Sequence, residues 1–271
     1  MSDQELRPSP EASAADWIEP RLRRFASGVS AVVPDGFPAY VRILHPAHGR
    51  SGTRDEHVRW ATVAKWSART MHRLAQFHAI ASPAASEERG PAPWDGNSPD
   101  EGNLPIKLLR VLCAHLAAHT TTPASCWFCL WEGYGHLHGS PATASATFVP
   151  KGMHAPPPRP VPPALPPEVL SGPKVRLPNR DYILFEGSLE AAAELSEPFG
   201  HRVGHMFFPQ SPNLFWPDDH AWCVASEIDL FCTLVAGPEA LIEALLADAR
   251  LEAWRVEPGD PITYDSDLLN T

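Results

Sequence analysis

No stretch of this chain approaches the run of about eighteen apolar residues that a membrane-crossing helix needs, so a bilayer-spanning protein is not expected. GxSxG, the P-loop and GxGxxG are also missing. Their absence closes the motif route to an elbow-type hydrolase, a phosphate-loop NTPase or a dinucleotide enzyme. Basic residues are scarce: 22 Lys and Arg stand against 32 Asp and Glu, a formal net charge of −10. Such a surface repels phosphate backbones and anionic lipid, so neither nucleic acid nor membrane is expected as a partner. The densest basic patch, Arg21, Arg23 and Arg24, is short and reads as solvated surface. Cysteine is sparse and odd in number, at five. A chain of 271 residues folds without covalent staples, so reduced thiols and a cytoplasmic location are expected. MSDQELRPSPEASAAD has no basic region followed by an apolar core and does not read as a secretory signal.

Proline is what the chain has in excess. Its 31 prolines are about twice the usual share of roughly 5%. Each removes a backbone donor and fixes φ, so long helices cannot dominate. Hydrophobic residues make up 44%, ordinary for a globular protein of one large domain or two small ones.

Residues 1–16 are small and polar and read as a disordered tail. Residues 17–135 form an N-terminal α+β part. Val29–Val33 and Ala39–Leu44 flank Pro-Asp-Gly and suggest a hairpin. Helices are expected at Trp60–Thr70 and, with an i, i+3, i+4 stripe of Ile106, Leu109, Leu112, Cys113 and Leu116, at Pro105–His119. Residues 136–173 contain PPPRPVPPALPP, which cannot continue a sheet and reads as a proline-rich insertion or linker. Residues 174–271 supply strands at Asp181–Phe185, Ala221–Ile228, Phe231–Val235 and Leu251–Val256. Helices fall at Leu189–Leu195, with Ser188 as N-cap, and at Pro238–Ala247. This C-terminal α+β part is expected to complete the domain begun before the proline segment. Strands and helices mix without βαβ alternation, which points to an α+β fold with a mostly antiparallel mixed sheet and a few packed helices. LWEG at 130–133 and LFEG at 184–187 suggest two strands ending alike on one sheet edge.

Cys126 and Cys129 form a CxxC, followed by His136 and His138. A redox pair needs its first thiol at a helix N-terminus, yet CWFCLW has strand character and no cap residue. Alternation then puts the two thiols on opposite faces, which suits neither a disulfide nor a shared zinc. His115 and His119 sit one turn apart on a helix, but the residue after the first is Leu116, not the glutamate of a zinc protease. No metal, cofactor or catalytic residue is therefore assigned. The richest polar and aromatic cluster is SPNLFWPDDHAWCVASEID, residues 211–229. Trp216, Asp218, Asp219 and His220 share a rigid proline-flanked loop, and Glu227 and Asp229 lie two apart at a strand end. Carboxylates beside an indole and an imidazole are the ligand-binding candidates, for a sugar, an amine or a cation.

PNRDYILFEG (178–187) and QSPNLFWPDDHAWCVASEIDLFCTLVAG (210–237) resemble segments of an uncharacterised protein family of high-GC actinobacteria. Weaker echoes fall at 28–46 and 120–135. The resemblance implies a cytoplasmic bacterial protein; it brings no established activity and transfers no catalytic residue. The leading expectation is a non-catalytic, protein-binding module of immunity-like or regulatory type, its exposed tryptophans serving as stiff contacts. The alternative is a small-molecule-binding enzyme with an acidic, aromatic pocket around 211–229.

Overall fold

A computed structural model describes residues 6–24, 28–49, 56–83, 94–139, 162–195, 201–203, 206–208 and 210–271. Its frame is a nine-stranded sheet in which every pairing is antiparallel. Strands β1 (Arg7–Pro8), β2 (Ala39–Leu44), β5 (Cys126–Trp131), β6 (Val175–Leu177), β7 (Arg180–Gly187), β10 (Leu214–Pro217), β11 (Cys223–Ala225), β12 (Cys232–Gly237) and β13 (Ala253–Val256) build it. The spatial order is β1-β7-β5-β10-β11-β12-β2-β13, with β6 paired to β7. Two small ribbons join β3 (Ala47–His48) to β4 (His57–Val58) and β8 (His201–Val203) to β9 (Met206–Phe208). The α+β reading holds.

Strand β5 pairs with β7 from Cys126↔Gly187 to Trp131↔Tyr182, so sequence on both sides of the proline-rich segment enters one sheet. That register sends the LWEG and LFEG turns to opposite ends of neighbouring strands, not to one edge. Residues 140–161 of the proline-rich segment lie outside the described residues. Beyond them, Leu165 is buried in the core and α4 (Pro167–Leu170) follows.

The sheet separates apolar side chains by strict alternation. From β5, Cys126, Phe128 and Leu130 enter one cluster, while Cys129, Trp127 and Trp131 enter the other. The first cluster is covered by α3 (Ile106–Ala117), α5 (Ala191–Glu194) and α6 (Glu239–Ala247). Leu109, Leu112 and Leu116 form the buried stripe of α3, and the Trp222 indole donates to the Leu116 carbonyl at 3.1 Å, beside the His119 amide that donates to the same oxygen. Phe128 stacks on Phe215 at 5.9 Å and Trp222 meets Phe215 edge-on at 5.8 Å. Each of these fully buried rings stabilises by about 1.5–3 kcal/mol through lost water contact, before ring pairing adds its share.

The second face carries two clusters. One packs the N-terminal segment, through Ile18, Val29 and Val33, on Tyr40, Leu184, Trp216 and Leu234. The other gathers α1 (Trp60–Trp66) and α2 (Phe77–Ala81) on Leu44 and Cys232. Glu252 supplies the cap that α1 lacks in its own sequence, accepting from the amides of Trp60 at 2.7 Å and Ala61 at 2.8 Å.

Several local expectations change. Residues 29–31 form a 3-10 turn and not a hairpin strand, and β2 pairs instead with β12 and β13. Gly28 sits at φ 148° with the Asp260 carbonyl 2.7 Å from where a Cβ would stand, and Val29 donates to that carbonyl. The chain there is clamped against the 258–260 turn, which removes it from sheet pairing. The stretch read as a disordered tail is ordered from Leu6: β1 pairs with β7, and Ala15 is buried in a short 3-10 helix. Residues 1–5 lie outside the described residues. Helix α1 stops at Trp66, with Ala68 at φ 56° beyond it. Ser188 caps no helix, and its hydroxyl is buried without a partner.

Candidate functional site

The residues of the 211–229 cluster do not converge. Strands β10 and β11 form a hairpin whose Leu214↔Ala225 register sends 217–222 to one end and 227–229 to the other. Trp216 is fully buried in the second cluster and edge-on to Trp17 at 6.1 Å. Asp218 accepts the Trp127 indole N–H at 3.2 Å. Asp219 ties down the end of α3, accepting from the Thr121 amide at 2.7 Å, the Thr120 and Thr121 hydroxyls at 2.8 Å and the Ala221 amide at 3.1 Å. Burial alone would raise its pKa; these donors more than offset that and hold it below the ordinary value. His220 adopts φ 52° and stacks on Trp17 at 4.4 Å. These four side chains close a turn and pin the N-terminal segment to the sheet.

At the other end, Arg180 joins the remaining two. Its guanidinium lies 2.8 Å from Glu227 and 2.6 Å from Asp229. The Glu227 pKa is raised chiefly by burial, with Arg180 pulling the other way. Glu227 borders a small cavity of about 30 Å³, and Asp229 reaches a much larger one.

That cavity, of about 540 Å³, opens on the second face between α2 and the 228–231 segment. It falls in the size range of small-molecule sites. Its origin lies in one residue of β2. Alternation in AYVRIL sends Val41 and Ile43 to the first face and Tyr40, Arg42 and Leu44 to the second. Arg42 therefore stands among apolar side chains, with Leu234 and Trp254 as its cross-strand neighbours. It is 3% exposed. One terminal nitrogen donates to the Ala75 carbonyl at 2.9 Å, and the guanidinium carbon lies 5.4 Å from the Trp60 ring centre. Its Nε is buried without a partner, and among the described residues no carboxylate lies within ion-pair distance. A buried cation normally has a counter-charge; this one faces a cavity instead.

Aromatic rings line much of the rest. Phe77, Trp94, Phe231 and Tyr264 all contribute, and the Tyr264 ring stacks flat on His78 at 3.5 Å. Burial holds the His78 pKa below its ordinary value. The Trp94 indole N–H is a second buried donor without a partner. Gln76, also in the wall, is fixed from behind: its amide N–H donates to Asp267 at 3.1 Å and its side-chain amide to Ser266 at 2.8 Å. Glu101 and Asp229 stand at the solvent side. Gly102 brings them together: at φ 60° its missing Cβ would meet Ile228 Cα at 2.7 Å, and its amide donates to the Leu230 carbonyl. Burial first, and Asp229 second, raise the Glu101 pKa.

Arg42, Gln76, His78 and Glu101 were not singled out from sequence. One signal was available: a lone arginine at an inward position of an otherwise apolar strand. The thiols stay apart from this site. All five cysteines are free of disulfides, and burial pushes Cys126 up to about 12. His115 pairs with Asp248 at 2.8 Å, and His119 bonds the His115 carbonyl, so the two imidazoles do not share a ligand. Comparison with protein-family models, curated proteins and solved structures finds no match to this chain.

Proposed function

We propose that this protein binds a small organic anion in the Arg42 cavity. The observation that carries the reading is a guanidinium buried to 3% exposure, without a carboxylate partner among the described residues, in the wall of an aromatic-lined space. A planar fork of donors suits carboxylate or phosphate, and entry of the anion would satisfy a charge that the fold leaves uncompensated. The cavity is preferred over a protein-contact surface because the tryptophans meant for such a surface are, with one exception, buried or half-buried. Trp60, Trp216 and Trp222 are fully buried, and Trp66 is the one that stands exposed, at 42%.

The test uses benzoate and phenyl phosphate, with benzamide as the uncharged control. Either anion in excess is expected to raise the thermal midpoint, by mass-action stabilisation of about 2.7 kcal/mol at a hundred times Kd. Arg42→Met keeps the apolar stem and is expected to fold but show no rise. An unchanged midpoint in the unsubstituted protein with both anions would overturn the proposal.

A further inference from the structure

The charges around the cavity are sorted by depth. Arg42 is 3% exposed, whereas the Asp229 carboxylate is 71% exposed and Glu101 belongs to the solvent-facing surface. Gly102 packs the 100–102 segment onto 228–230, which fixes the two carboxylates side by side. Arg180 takes one oxygen of Asp229 and is itself shared with Glu227; Glu101 has no cation partner among the described residues. The cavity is thus positive at its floor and negative at its rim, with Phe77 and Phe231 among the residues between.

We infer that the ligand is a zwitterion with its charges at opposite ends: a carboxylate for Arg42, a planar apolar body, and an amine for Glu101 and Asp229. A simple anion satisfies the floor but must pass two rim carboxylates that repel it. A molecule with charges on adjacent atoms reaches only one end. An amine at the far end turns the repulsion into attraction, and Glu101 gains the cation that the fold supplies only to Asp229, through Arg180. This inference rests on the anion-binding reading above, and deepens it.

Isothermal titration with three related probes separates the two ideas: 4-(aminomethyl)benzoate, which carries both charges; 4-methylbenzoate, which lacks the amine; and benzylamine, which lacks the carboxylate. The zwitterion is expected to bind at least about tenfold more tightly than 4-methylbenzoate, the equivalent of one ion-pair contact. Glu101→Gln with Asp229→Asn should erase that gap while leaving 4-methylbenzoate bound as well or better, and Arg42→Met should abolish binding of both acids. Equal or tighter binding of 4-methylbenzoate by the unsubstituted protein would overturn the zwitterion and leave the anion site standing. Failure of both acids to bind would overturn both. Should the double variant unfold, raised salt replaces it: the gap is expected to narrow as the exposed rim charges are screened, and a gap indifferent to salt would count against the rim's role.

Discussion

At the scale of single residues, the interior is ordered by polar side chains whose donors and acceptors leave one consistent assignment. His45 is fully buried, with Nδ1 2.7 Å from the Asp100 carbonyl and Nε2 2.9 Å from the Thr233 hydroxyl. A carbonyl only accepts, so Nδ1 carries the proton and Nε2 accepts from Thr233. Thr233 has then spent its hydrogen, and the Ser226 hydroxyl, 2.7 Å away, donates to it. Burial lowers the His45 pKa to about 4, against the opposing pull of the Asp100 carbonyl and carboxylate. The folded value lies below the unfolded one of about 6.5, so the stabilising contribution is complete above pH 6.5 and is lost as pH falls toward 4. Over that window the folded state gives up about 3 kcal/mol from this group. Nitrogen-15 spectra at pH 5.5 are expected to show a neutral imidazole protonated at Nδ1. An imidazolium at that pH would contradict the assignment.

Elements show what could be read in advance and what could not. Strand β5 and helix α3 were legible because local pattern and tertiary role agree: alternation in CWFCLW and the leucine stripe of α3 are what the two faces bury. Residues 29–33 misled, because their β-branched composition is used for packing on the sheet while Gly28 and the 258–260 turn dictate the backbone. The site was less legible still. Asp229 was singled out, but its partners Glu101 and Arg42 are about 130 and 190 residues away in sequence, joined only by strand order and a glycine contact. Nor does sequence reveal that the link between α1 and α2 leans on residues 266–271. Asp267, 6% exposed, accepts from the amides of Gln76 at 3.1 Å and Asn270 at 3.0 Å and from His72 at 2.8 Å. Burial would raise its pKa; the donors, led by Asn270 and His72, bring it down to about 2. Its contribution is present above the unfolded value of about 3.9 and disappears as pH falls toward 2. Asp267→Asn is expected to cost about 2 kcal/mol at pH 7, with the difference from the unsubstituted protein shrinking between pH 4 and 2 in urea titrations. A difference that does not change with pH would mean that the charge is not what binds the segment.

For the whole molecule, the sheet is the partition. It isolates the helix-covered cluster on one side from the α1–α2 cluster on the other, and the cavity lies wholly on the latter side. Short helices of seven and five residues have little stability of their own. They are held by Glu252 at the start of α1 and by the C-terminal segment at their junction. There Asn270 exchanges hydrogen bonds with the backbone of Thr70, and Arg69 donates to the Thr271 carbonyl. Tyr264, from the same segment, forms part of the cavity wall. Structure and proposed binding are therefore coupled through nine residues. Removing 263–271 is expected to raise amide hydrogen exchange across residues 60–82 and to abolish 4-methylbenzoate binding. Strands β5, β10, β11 and β12 should keep their protection, because their hydrogen-bond partners, the helix layer on the first face and the N-terminal segment on the second remain. Exchange that rises equally in those central strands would show that the α1–α2 lobe and the sheet unfold as one unit, and the partition drawn here would be wrong.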